Sequence, residues 1–347
     1  MQNTIHRTVS RIYLIDYLKA IAILFVIITH CHFSNFQRSH VLIVFVINMA
    51  VPLFILIMGY NYAKSFINHN IVTIRSMYNI RILTKRILRV SIPFCIIFIL
   101  EYLVYKNTTM NSHHILTYFI KGGIGPGSYY YPVVLQLIVL FPLIYIIVKK
   151  YKDKGLILLI FLESVCILLS VVTDFDLKTY RLLAFRYISL ISCGAYMATN
   201  RKNINAKNMK ILLCIGVLLL TILHYTGNEY SCYPYLKKYW GASSGITVML
   251  YVFPIFYLIF EKYERKIFNG ICGNLLLLIG KASWHIMLFQ MLYYCSKFFV
   301  NKHNLFLDVI INLVVCSAGG IIFYLIDELL ISKHLLKYLK TDSSYNQ

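Results

Sequence analysis

Apolar residues fall into ten long runs along the chain, separated by polar, charged or glycine-containing stretches. Two of these stretches are long: 61–89, a basic cytoplasmic connection, and 106–131, an external one. The runs lie at about 12–32, 41–60, 90–105, 132–148, 155–173, 182–199, 211–225, 245–260, 273–294 and 305–330. A helix needs about 20 mostly apolar residues to cross about 30 Å of hydrocarbon. Most of the runs come within a few residues of that length, and the third is short. Ile, Leu, Val and Phe follow one another without the alternation of a membrane strand, so the runs predict helices. The pattern as a whole predicts an all-α polytopic membrane helical bundle of about ten transmembrane helices. The first run follows Arg7 and Arg11 but is too long for the apolar core of a secretory signal. It also lacks a small-residue cleavage site and leads into further spans, so it reads as the first crossing.

Composition agrees with the pattern. Of 347 residues, 59% are hydrophobic and 14% charged, with a mean hydropathy of +0.69. A soluble domain carries about a quarter charged residues. An ordinary soluble enzyme, a disulfide scaffold and a disordered linker are therefore excluded. The nine cysteines are scattered without a CxxC pair and lie mostly inside apolar runs. They read as small buried hydrophobes, and no metal is expected. The cluster Thr29-His30-Cys31-His32 has poor ligand geometry for zinc and no second cluster to complete it.

The balance of 34 Lys and Arg against 13 Asp and Glu gives +21, which in a soluble protein would point to nucleic acid. Position decides otherwise. With the N-terminus in the cytoplasm, ten crossings leave 22 positive residues inside and 9 outside. That is the asymmetry membrane topology produces, and no nucleic acid is needed to account for it. The chain reads as one integral-membrane domain over 1–347, with both termini cytoplasmic. It is expected to be a multi-pass protein of the bacterial inner, or cytoplasmic, membrane with the lipid bilayer as a partner.

Ionisable residues inside apolar spans are the best pointers to function, because each is costly unless paired or wetted. In the first span these are Asp16, Lys19 and His30. On a helix Lys19 lies about 60° from Asp16 and His30 about 40° from it, some 21 Å further along the axis. All three share a stripe that can face one interior path. The plainer alternative is a satisfied Asp16–Lys19 pair with His30 capping the helix near water. Arg86 and Arg89 stand one helical turn apart before the third span, where two guanidinium forks could grip phosphate or simply mark the membrane edge. Arg186, Gln136, Glu101 and Glu163 lie in or beside later spans. Tyr129, Tyr130 and Tyr131 could stack on sugar faces or belong to an interfacial aromatic belt.

Several short motifs then occur in a fixed order. Ile15-Asp16-Tyr17-Leu18-Lys19-Ala20, continuing to His30, is followed by Val51-Pro52-Leu53-Phe54-Ile55-Leu56-Ile57-Met58-Gly59-Tyr60. Next come Arg86-Ile87-Leu88-Arg89 with Pro93, then Tyr130-Tyr131-Pro132-Val133-Val134-Leu135-Gln136, and late in the chain Ile279-Gly280-Lys281-Ala282-Ser283-Trp284. Together they resemble the acyltransferase family 3 membrane proteins, which O-acylate sugars and other acceptors, and the likeness runs over about 11–295. Three departures stand out. Lys19 replaces an arginine, Met58 replaces a serine, and Gln290 occupies a position where many members carry histidine.

The resemblance implies an O-acetyltransferase that moves an acetyl group from acetyl-CoA to a hydroxyl of a cell-surface polysaccharide or its lipid-linked precursor. No cofactor is bound; acetyl-CoA is the donor and a glycan or lipid-linked glycan the acceptor. It implies His30 as base or acyl carrier with Asp16 beside it in the catalytic group. Lys19, Arg86 and Arg89 are expected at the donor. Arg186, Tyr130, Tyr131, Gln136 and Gln290 are candidates for the acceptor or the oxyanion. A glycan exporter or flippase without acyl-transfer chemistry is the alternative of a different class, and the His30 stripe with the paired arginines argues against it.

Overall fold

A computed structural model describes residues 12–31, 33–105, 114–225, 245–296 and 304–329. No strand occurs among the described residues, and nine long helices carry the architecture. They are α1 (Tyr13–Thr29), α2 (Ala50–Asn68), α3 (Ile80–Tyr105), α4 (Tyr130–Val172), α5 (Ile188–Asn200), α6 (Ala206–Tyr225), α7 (Ile246–Tyr263), α8 (Ile271–Cys295) and α9 (Leu305–Asp327). Each of the ten apolar runs falls on one of these helices, and the fourth and fifth runs share α4. Among the described residues, seven helical stretches are long and apolar enough to cross a membrane. The 43-residue α4 counts once among them, although it breaks at Lys152 (φ 49°, ψ −121°) into two arms. With 17 and 13 residues, α1 and α5 are shorter than the rest, and both are enclosed by protein along most of their length.

The stretch 61–89, expected as a basic connection, is largely helical. α2 continues to Asn68, and α3 begins at Ile80 rather than near 90. Lys and Arg are good helix formers whose charged tips reach water from a buried stem. The helices therefore outrun the apolar runs, and Arg86 and Arg89 lie within α3. The run at 41–60 is interrupted, with a short helix Val41–Phe45 and a 3₁₀ turn Ile47–Met49 preceding α2. His32 and the aromatic segment 226–244 lie outside the described residues, as does the basic tail after 329.

Lipid supplies no hydrophobic drive between helices, so close backbone packing at small residues has to hold them. A Cβ on Gly59 would collide with the Ile191 carbonyl, and one on Gly194 with the Leu56 carbonyl, so α2 and α5 run antiparallel in direct backbone contact. α1 and α8 run parallel. A Cβ on Gly280 would collide with the Asp16 carbonyl, and the His30 and Tyr294 rings meet edge-on at 5.9 Å. α9 closes on α8 where Gly320 meets Ile286. The outer faces of α6 and α9 expose Leu218, Ile222, Val314 and Ile322, as a lipid-facing surface requires.

One end of the bundle carries Arg86, Arg89 and the lysines at the α4 break, and is the basic end. At the opposite end the chain from α3 to α4 forms a helical turn, Ile115–Ile120, and then the glycine loop 122–129. Gly122, Gly123 and Gly127 have φ of +88°, +115° and +86°, which side-chain-bearing residues rarely adopt. Glu101, fully buried near the far end of α3, accepts a hydrogen bond from the Ile124 N–H at 3.0 Å and ties this loop down.

Candidate functional site

At the basic end a cavity of about 710 Å³ opens between α2 and α3. Arg86 and Arg89 both line it, together with Lys85, His69 and Ser65, so the one-turn spacing does bring the two guanidiniums to one space. The Arg86 guanidinium lies 4.3 Å over the Tyr62 ring and 4.7 Å over Phe66. Its Nη1 is buried with no hydrogen-bond partner among the described residues. A desolvated guanidinium donor stacked on two rings is stabilised as a cation but keeps unspent hydrogen-bonding capacity.

A second cavity, about 520 Å³, lies deeper in the bundle and is bounded by α1, α2, α3, α4, α8 and α9. The two cavities share Asn61, Tyr62, Arg89 and Val90, so they adjoin across that wall. Asp16 and Lys19 line the inner one as an ion pair at 2.8 Å, with Asp16 only 5% exposed. Tyr130 lines it too. Opposite stands a second pair, His285 Nε2 to Asp327 Oδ2 at 3.0 Å, 8% and 5% exposed. An ionised Asp327 carboxylate can only accept a hydrogen bond from the Nε2–H, so in the neutral imidazole Nδ1 carries the lone pair. Lys281 and Glu328 complete a dense set of ionisable groups, and Asn61, Tyr62, Ser283 and Tyr324 add polar lining beside apolar Phe54, Ile57 and Val134.

His30 lies further along, at the opposite end, and lines neither cavity. Of the stripe expected for Asp16, Lys19 and His30, the first two therefore line the inner cavity and His30 does not. Met287 lines the inner cavity, and its Cε also reaches the open face of Gly127. His30 Nε2 and Gln290 Nε2 meet at that same glycine. Gln290 has no exposure, and neither of its amide atoms has a hydrogen-bond partner among the described residues. The end of α1 is held by Tyr294, whose hydroxyl donates to the Ile27 carbonyl at 3.0 Å.

The remaining expected residues are placed elsewhere. Tyr131 turns away from Tyr130, stacks on Phe94 at 3.6 Å and donates its hydroxyl to Ser91 at 3.0 Å. Gln136 is a bracket. Its amide nitrogen donates to the Leu182 carbonyl (2.7 Å) and the Pro132 carbonyl (3.1 Å), and its oxygen accepts from the Ala184 N–H (3.1 Å). Arg186 sits in the 3₁₀ turn before α5, 6% exposed, against the Tyr180 and Tyr187 rings at 5.4 and 5.0 Å. It lies within electrostatic reach of Glu163, which accepts the Ser189 N–H at 2.6 Å. These three belong to the scaffold of the opposite end and line neither cavity.

The family model described as an acyltransferase domain, that of acyltransferase family 3, matches residues 12–326, nearly the whole chain. The chain belongs to acyltransferase family 3. No curated protein and no solved structure matches it. The acyltransferase is a membrane enzyme that moves acyl groups, and the matched segment contains His30, Gln290, the whole lining of the outer cavity and all of the inner one except Asp327 and Glu328. The His285–Asp327 pair of this acyltransferase is not among the residues that the sequence pattern singles out. Both residues lie inside apolar runs, so the rule that singled out Asp16 could have found them. What the sequence lacked was the register that brings α8 and α9 together.

Proposed function

We propose that the protein is an O-acetyltransferase of the bacterial cytoplasmic membrane, a single domain with the basic end and both termini in the cytoplasm. Acetyl-CoA enters at that end, and its phosphates bind Arg86 and Arg89, with Lys19 further in. The pantetheine arm crosses the wall at Tyr62 and Arg89 into the inner cavity and presents its thioester beyond Met287, beside His30. The acceptor is a hydroxyl of a surface polysaccharide or its lipid-linked precursor, reaching His30 from the opposite end. Neutral imidazole takes the hydroxyl proton as the new C–O bond forms and the C–S bond breaks, and the departing thiolate receives that proton. The buried Gln290 amide is the donor we assign to the developing oxyanion. Tyr130 flanks the donor arm. Tyr131, Gln136 and Arg186 keep the acceptor side in shape.

The observation that carries this reading is the pair of adjoining cavities. A charged mouth with an unsatisfied guanidinium suits phosphates, and an adjoining space bounded by six helices suits an arm carrying a thioester. A second assignment of the base has its own support, since the imidazole that lines the inner cavity is His285. One experiment tests function and base together. Membranes bearing lipid-linked glycan and the protein are incubated with labelled acetyl-CoA, using wild type, His30→Ala and His285→Ala. Label in glycan with wild type and its loss in His30→Ala alone supports the reading. Loss in His285→Ala alone moves the base to the inner pair. Glycan that is never labelled but accumulates on one side of the membrane without the protein would make it an exporter.

A further inference from the structure

Two neighbouring residues of α8, Trp284 and His285, both line the inner cavity. The Trp284 indole Nε1 and the His285 Nδ1 are buried, and neither has a hydrogen-bond partner among the described residues. The two atoms are of opposite kind. An indole N–H can only donate. The imidazole gives its Nε2–H to Asp327 at 3.0 Å, so Nδ1 of the neutral ring can only accept. Both rings are packed from other helices. His285 meets the Phe323 and Tyr324 rings of α9 edge-on at 5.1 and 5.3 Å, and Trp284 lies 6.2 Å from the Tyr130 ring of α4. A buried donor or acceptor without a partner is costly, and a matched pair of them at one cavity calls for an occupant that supplies both missing halves.

We infer that Trp284 and His285 hold the pantetheine arm of the donor through its amide groups. The inference rests on the proposed donor route, which lays that arm in the inner cavity. A secondary amide carries one N–H and one C=O, and the arm has two such amides. The Trp284 N–H donates to an amide carbonyl, and His285 Nδ1 accepts from an amide N–H. A plain hydrocarbon arm would leave both protein atoms without partners, so the pair favours an amide-bearing thioester. Trp284 and His285 are positioning residues. They fix how the arm lies on its way to His30 and take no part in making or breaking bonds.

The test crosses changes in the donor with changes in the protein. Wild type, Trp284→Phe and His285→Gln are held in membranes with extracted lipid-linked glycan, and release of thiol gives kcat and KM. The donors are acetyl-CoA and two analogues in which one amide or the other is replaced by an ester, which keeps the C=O and loses the N–H. In wild type one analogue is expected to raise KM at least about fivefold. His285→Gln keeps an N–H for Asp327 but has no lone pair where Nδ1 stood. It is expected to raise the KM for acetyl-CoA by a similar factor and to treat that analogue and acetyl-CoA alike. Trp284→Phe keeps a ring and loses the N–H, and is expected to raise KM for all three donors, since each retains its carbonyls. A wild type that uses both analogues as well as acetyl-CoA overturns the inference alone, even if neither variant inserts. So does an analogue penalty that persists in His285→Gln, or a fall in kcat there with KM unchanged, which would make His285 the base. A wild type that releases no thiol from acetyl-CoA overturns the donor reading and the inference with it.

Discussion

Arg86→Lys is the most informative single change at the donor mouth. The substitution keeps one positive charge but removes the planar fork that lies 4.3 Å over Tyr62 and 4.7 Å over Phe66. It also removes Nη1, the buried donor with no partner among the described residues. A hydrogen bond between charged groups contributes about 1.5–3 kcal/mol. Losing one such bond to a phosphate corresponds to a rise of roughly 10- to 150-fold in the KM for acetyl-CoA, at about 1.4 kcal/mol per tenfold. The kcat should stay near wild type, because Arg86 lines only the outer cavity and does not approach His30. Initial rates against acetyl-CoA concentration separate the two constants, and thermal unfolding with and without acetyl-CoA reports donor binding independently. A KM within about twofold of wild type, with undiminished donor stabilisation, would refute the phosphate assignment and the route that begins there.

Three further outcomes follow from the geometry. Gln290→Leu should lower kcat by about 10²–10³ without changing the donor KM, and should raise the unfolding temperature because two unpartnered amide atoms leave the interior. Unchanged kcat in a stabilised variant would remove Gln290 from the reaction. Lys19→Met leaves the 5%-exposed Asp16 without its 2.8 Å cation and should cost about 3–5 kcal/mol, whereas Asp16→Asn with Lys19→Met should recover most of that in denaturation of the purified protein. Equal losses in the single and double variants would contradict a pair whose burial dominates its energy. Gly280→Ala forces a methyl onto the Asp16 carbonyl and should destabilise by about 1–3 kcal/mol, with loss of activity, and a neutral thermal shift would show that α1 and α8 have more room than the structure gives them.

The helical bundle was legible because hydropathy over about 20 residues is a strong, local signal, and it placed every long helix near its true position. The ends were less legible. Nothing in composition separates an arginine-rich loop from an arginine-rich helix end, so the start of α3 was set about ten residues late. The Asp16–Lys19 pair could be foreseen from helical spacing within one element. The surroundings of His30 could not, because they depend on Met287 and Gln290 arriving from α8 and Gly127 from a loop far off in sequence. His285 and Asp327 illustrate the same limit, since 42 residues separate partners that meet at 3.0 Å. Gln136 was readable as polar within a span, but its role as a bracket rests on three backbone groups that only the fold supplies.

α3 bears Arg86 and Arg89 near one end and Glu101 near the other, with Pro93 between them. A proline inside a helix removes one internal hydrogen bond and is a natural point of bending. The element proposed to meet the nucleotide is thus continuous with the carboxylate that tethers Ile124, in the loop that carries Gly127 beside His30. A tilt of its first half that Pro93 does not absorb would pass along α3 to Glu101 and through that carboxylate to the loop over the imidazole, so that occupancy on one side of the bilayer would be sensed on the other. Paired spin labels on α3 and on the loop after Gly122 would register that coupling as a distance change when acetyl-CoA is added, and a constant distance would mean that α3 only supports.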